Sequence, residues 1–163
     1  MSFDSMTASS NWIAALRPYL ATVAGADLVW EAAHLPLYTL WRTATTRDQL
    51  FAVIHCTLGD ILIALTCLVV ALIFAGHRAW PIQRFTQVAI LTLFFGLGYT
   101  VFSEWLNVVV RKSWAYSEFM PVVPIFGWRI GASPLLQWSV VPLIALLAAR
   151  HGGAPRAPAQ APQ

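Results

Sequence analysis

The chain has 163 residues, 58% of them hydrophobic and 10% charged, with ten Lys/Arg, seven Asp/Glu and eight Trp. Soluble domains carry about 25% charged residues, so this composition cannot cover a water-facing surface. It excludes a soluble enzyme, a secreted disulfide scaffold and a disordered chain. The net charge of +3 is small and is not gathered into a patch, which excludes a nucleic-acid module and makes the lipid bilayer the first expected partner.

The N-terminus, Met1 to Asn11, is polar and lacks Lys and Arg. A cleavable signal peptide needs a basic start and an uninterrupted apolar core. Arg17 and Pro18 interrupt that core, so the segment reads as an uncleaved first span despite its Ala24-Gly25-Ala26 triplet. A membrane-crossing helix needs about 20 mostly apolar residues, and four segments qualify: 18–41, 49–75, 85–110 and 134–149. Pro18 suits the first turn of the first helix, which is the least apolar because it holds Asp27, Glu31 and His34. The fourth is short and contains Pro142. The expected architecture is all-α, a single bundle domain over residues 1–150 with four transmembrane helices, multi-pass in a cell inner membrane. Residues 151–163 are Ala/Pro-rich and expected to be disordered.

Residues 42–48 form a tight polar loop, and 76–84 another with Trp80 as an interfacial anchor. Residues 111–133 differ, being apolar, aromatic and broken by Pro121, Pro124 and two glycines. Such a segment reads as an aromatic interfacial cap between the third and fourth helices, or as a re-entrant piece buried in protein. Lys/Arg divide five against five between the two sides, so the positive-inside rule sets no orientation. An even span count puts both termini on one side, taken as cytoplasmic.

Ionisable side chains inside a span are costly and read first as functional. Six fall there: Asp27, Glu31, His34, His55, Asp60 and Glu104. At ~1.5 Å per residue from the loop ends, His55, Glu104 and His34 lie ~9–12 Å deep and Glu31 and Asp60 ~16 Å, all from the same face. Asp27, Glu31, His34 and Tyr38 form one helical stripe, and Glu104, Asn107 and Arg111 another. His55 and Asp60 point about 140° apart on their helix, whereas Cys56 and Asp60 share a face.

Glu31-x-x-His34 has the spacing by which carboxylate bundles present two metal ligands inward. With His55 and Glu104 it offers a donor set for Zn, Mn or Fe, Asp60 serving as a partner of the ligands or a base. Asp60 and Glu104 are the candidate catalytic groups. A substrate reaching that depth would be lipid-like or a small ion. The same groups could instead satisfy one another as a structural hydrogen-bond network in a non-enzymatic subunit or assembly factor. They could also form a proton path in a proton-coupled carrier, or hold haem between His34 and His55. Trp114, Tyr116, Met120, Trp128, Gln137 and Trp138 form either a lid over this site or an aromatic belt. Ala21, Gly25, Gly59, Gly96 and Thr100 are small residues suited to close helix contact. Cys56 and Cys67 lie ~16 Å apart along one helix, too far for a disulfide, and read as buried thiols.

The strings WEAAHLPLYTLW (30–41), HCTLGDILIA (55–64), YTVFSEWLNV (99–108), SWAYSEFMP (113–121) and SPLLQW (133–138) resemble a family of small bacterial integral-membrane proteins. The resemblance covers most of residues 18–148. It implies a four-span bundle and carries no catalytic assignment.

Overall fold

A computed structural model describes residues 3–152, with side chains from residue 14 onward. The first helix, α1 (Phe3–His34), ends where Pro36 requires it to. Proline lacks an N–H, and its ring clashes with the carbonyl four residues back. The chain therefore leaves the helix through a 3₁₀ turn (Leu35–Leu37) and a single turn of helix, α2 (Leu40–Thr43). The expected span 18–41 is corrected at both ends: Pro18 lies inside α1, and the helix stops seven residues short of Trp41.

Helix α3 (Thr46–Ala75) starts at Thr45, whose Oγ accepts from the Asp48 N–H at 3.3 Å and donates to the Asp48 carboxylate at 2.7 Å. That reciprocal cap satisfies an N–H the helix itself cannot. Helix α4 (Phe85–Glu104) follows Arg84, which is left-handed at φ 57°, and continues as a π-helical stretch, Trp105–Val110. Helix α5 (Ala132–Gly152) contains Pro142 and reaches through His151 and Gly152, both expected to lie in the tail. The rest of that tail, 153–163, lies outside the described residues. Among the described residues, three helices are long and apolar enough to cross a membrane: Thr46–Ala75, Phe85–Val110 and Ala132–Gly152.

The protein is mostly helical but not all-α. Between α4 and α5 the expected cap holds an antiparallel hairpin of β1 (Val122–Ile125) and β2 (Trp128–Gly131), pairing Val122 with Gly131 and Ile125 with Trp128. Its two-residue turn, Phe126-Gly127, has positive φ at both positions (49° and 82°), the backbone whose twist matches a tight hairpin. Pro124 is tolerated because a two-stranded ribbon has only edges.

Helix α1 packs on α3 and α5, and α4 packs on the same two from the opposite side, making a four-cornered bundle. One half of it is dry. Tyr19, Val23, Leu68, Val88 and Leu146 fill it with almost no exposure, and the Tyr19 hydroxyl donates to the Ala64 carbonyl at 3.1 Å. Trp80 belongs to this core at 1% exposure, so it is not the interfacial anchor expected. The short connection folds its indole inward against the helices. Outward positions such as Leu62, Ile73, Phe74, Ile90 and Phe94 are apolar and exposed.

Among the small residues, Gly96 makes the close contact expected of it. A Cβ there would sit 2.7 Å from the buried Trp138 ring. Gly25 and Gly59 face open space and Ala21 is exposed, so these three do not serve helix contact. Overpacking a tight site costs about 1–3 kcal/mol. Gly96→Val should therefore lower the thermal midpoint of the detergent-solubilised protein, while Gly98→Ala, at an exposed position with no neighbour, should leave it unchanged.

Candidate functional site

The other half of the bundle is polar. Asp27, Glu31 and His34 occupy one stripe of α1, at spacings of four and three, and all three are buried. The neighbouring Leu28 and Val29 are exposed. This division follows from the 3.6-residue repeat: one narrow polar stripe turns inward while the rest of the helix keeps an apolar exterior. Asp60 reaches the same region from α3, Glu104 from α4, and Gln137 and Ser133 from α5.

Gln137 is the hub. Its buried side-chain amide nitrogen lies 3.1 Å from Asp27 Oδ1, 3.1 Å from Glu31 Oε1 and 3.2 Å from Asp60 Oδ2. An amide offers two hydrogens, here set against three carboxylates from two helices. Among the described residues no Lys or Arg forms an ion pair with any of them; the ion pairs present are Glu31–His34 and Arg42–Glu118.

His34 is held at both ring nitrogens. Nδ1 lies 3.1 Å from Ser133 Oγ and Nε2 lies 3.2 Å from Glu31 Oε2. The Trp30 indole N–H donates to the same Ser133 Oγ at 3.2 Å. One arrangement of hydrogens satisfies the whole chain: Trp30 gives to Ser133, Ser133 gives to Nδ1, and Nε2–H gives to Glu31. Tyr38, expected to extend the α1 stripe, is off the helix beyond Pro36, yet its ring still meets the His34 ring edge-on at 5.3 Å.

On the far wall the Tyr116 hydroxyl donates to the Glu104 carboxylate and accepts from the Gly131 N–H at 2.8 Å. This phenol fastens the segment before the hairpin both to α4 and to the end of β2. The segment after α1 joins the same assembly, since the Thr39 N–H donates to Ala115 O and the Ser117 N–H to Leu37 O. Burial first, then the Glu104 carboxylate, pushes the Tyr116 phenol above its ordinary value. Its contribution to stability is thus complete below the ordinary tyrosine value of about 10 and is lost as pH rises beyond it.

These groups border a cavity of about 370 Å³, lined by Glu31, His34, Asp60, Glu104 and Gln137 among others. Gly59 and Cys56 form part of its α3 wall. Cys67 is buried, whereas Cys56 is half-buried at the cavity. His55 also lines the cavity but is exposed and stacks on Phe51 at 5.6 Å, a position at the rim.

The proposed metal set of Glu31, His34, His55 and Glu104 does not fit this geometry. Both His34 nitrogens and both Glu31 oxygens are engaged inside the protein, Glu104 is bonded to Tyr116, and His55 stands apart. Among the described residues no three His, Cys, Asp or Glu side chains are grouped as a metal ion would need. His34, bonded at both nitrogens within the bundle, and His55, at the rim, are likewise not drawn together as a pair for haem.

Gln137, Ser133 and Tyr116 were not among the predicted site residues. Gln137 was assigned with Trp138 to the cap, although a lone amide one turn into an otherwise apolar helix is the signal that would have placed it. Removing it orphans buried acceptors, at about 1–3 kcal/mol. Gln137→Leu should accordingly lower thermal stability in detergent by that amount. Tyr116→Phe should chiefly speed hydrogen exchange at the Gly131 amide, which loses its acceptor. No family model, curated protein or solved structure matches the chain.

Proposed function

We propose that the chain is a four-span protein of a bacterial inner membrane, and that its polar half is an acid–base site acting on a small membrane-soluble molecule. The fourth span would be α1. Its acids are turned inward and Leu28 and Val29 outward, which lets a helix with three ionisable groups face lipid. The packing of α1 between α3 and α5 supports the same assignment. The hairpin, with Phe126 at 91% exposure and Trp128 and Phe119 also exposed, suits an aromatic cap at the boundary of the bilayer.

One observation carries the functional reading: three carboxylates share the single Gln137 amide, with no Lys or Arg ion pair among the described residues, beside a cavity large enough for a small ligand. Ionised carboxylates in a low-dielectric setting require compensation. Here the available compensation is a proton shared within the cluster or exchanged with whatever enters the cavity. The groups facing that exchange are Asp27, Glu31 and His34 from α1, Tyr38 just beyond it, His55, Cys56 and Asp60 from α3, Tyr99 and Glu104 from α4, Arg111 after its π-helical end, and Tyr116 from the loop. A metal-handling role has no free donor set to support it. A carrier would need a route to the opposite face, where Tyr19, Leu68 and Leu146 are tightly packed among the described residues.

A lipophilic carbodiimide, which reacts with protonated carboxyl groups, tests the reading. Peptide mapping by mass spectrometry should place the adduct on Glu31, Asp60 or Glu104. Modification confined to Asp48 and Glu118, exposed in the loops and at the α3 terminus, would show that the cavity carboxyls neither hold a proton nor admit a ligand. Metal analysis of the same preparation should give far less than one equivalent of any transition metal.

A further inference from the structure

We propose that Ser133, His34 and Glu31 form a nucleophilic relay for acyl transfer, with Ser133 Oγ attacking the carbonyl of an ester lipid at the membrane boundary. The inference rests on the acid–base reading to the extent that Glu31 and His34 belong to both. It adds a nucleophile, a bond-forming step and a substrate class.

The geometry has the three parts such chemistry needs: a hydroxyl on an imidazole nitrogen, and a carboxylate on the other nitrogen. Ser133 Oγ is 3.1 Å from His34 Nδ1, and His34 Nε2 is 3.2 Å from Glu31 Oε2. The pairing joins residues 99 positions apart in the chain. It is therefore a product of the α1–α5 packing rather than of local sequence. Other helical hydroxyls in the bundle behave differently: Thr57, Thr92, Thr100 and Ser139 each donate to the carbonyl four residues back. Ser133 is directed at an imidazole instead, and the Trp30 N–H donating to Oγ at 3.2 Å holds it there.

Access and electrostatics agree. His34 and Glu31 are buried while Ser133 is half-buried, so the base is sheltered and the nucleophile can be reached. Ser133 lies in the first turn of α5, where its own N–H has no intrahelical acceptor and favours negative charge, while the Ala132 N–H is taken by Pro121 O and Pro134 has none. The Ser133 N–H is a donor of the kind that stabilises an oxyanion forming on the attacked carbonyl. Leu136, one turn along the same face of α5, is exposed and apolar, which suits the acyl chain of a lipid.

In the first half of the reaction, Ser133 Oγ bonds to the ester carbonyl carbon and its proton moves to His34 Nδ1. The imidazolium is stabilised by Glu31. The tetrahedral intermediate collapses with cleavage of the ester C–O bond, and the departing alkoxide takes the proton from Nδ1 and leaves as the alcohol. In the second half, water gives a proton to Nδ1 and attacks the acyl-serine. Ser133 leaves, recovers that proton and releases the carboxylic acid. Neither half requires an oxidant or a reductant.

The test uses the full chain in detergent with a long-chain alkyl fluorophosphonate, followed by peptide mapping. The expected result is one adduct, on Ser133, absent from Ser133→Ala and formed about 100-fold more slowly by His34→Gln, as loss of a general base predicts. An unmodified Ser133 in the folded wild-type protein, or labelling there no greater than at Ser139, overturns the relay without reference to any variant. The carbodiimide reaction on the same preparation separates the two ideas. Modified cavity carboxyls with an unlabelled Ser133 refute the relay and keep the acid–base reading. A labelled Ser133 with unmodified carboxyls does the reverse.

Discussion

Everything at the polar end of this protein answers to one constraint: among the described residues, the carboxylates buried there form no ion pair with a Lys or Arg. Two of the three that meet Gln137 come from α1 and one from α3, while the amide comes from α5. The hydrogen bonds that make this burial tolerable are thus also the ones that fix three helices relative to one another. Neutral hydrogen bonding does the work that ion pairs perform in a charged interior. A guanidinium partner would instead hold the acids in their charged form.

The irregular parts of the backbone serve the same end. Pro36 stops α1 immediately after His34, so the chain can cross the top of the bundle and pair Tyr38 with Tyr116. The α-helical part of α4 stops at Glu104 and the chain continues with π geometry through Asn107. π-bulges of this kind tend to occur at functional sites. The hairpin places Gly131 where its N–H meets the Tyr116 phenol, and α5 then begins with Ser133 beside His34. Each break in regular structure falls next to a polar group that would otherwise lack a partner.

Much of this was legible from residue order. Long apolar runs over 49–75 and 85–110 identify their helices because little else in a protein sustains hydrophobicity for so many residues. Depth counted from loop ends brought Glu31, Asp60 and Glu104 into one slab below the same face, and they line one cavity. The helix ends were harder to read. A proline at position 36 inside an apolar stretch looks tolerable in a membrane helix, and only the pairing of Leu37 and Thr39 with the far loop makes the break worthwhile. The hairpin escaped notice because Val-Val-Pro-Ile shows no alternation and its turn begins with Phe126 rather than Asn or Gly. Ser133 and Gln137 carry no periodic signal, since a single hydroxyl or amide has meaning only through what stands opposite it. His55 illustrates the converse: its depth was suitable, but its direction on α3 carries it to the rim.

The dry half, closed by Tyr19 on Ala64 and by the side chains around Leu68 and Leu146, has a consequence for the cell rather than for the site. Acidic groups in a membrane are a hazard to any organism that stores energy as a proton gradient, because a wet chain of them conducts. In a four-span arrangement the apolar half is an insulator in series with the polar one. On the proposed acid–base reading, proton chemistry at one face would leave the gradient across the membrane intact.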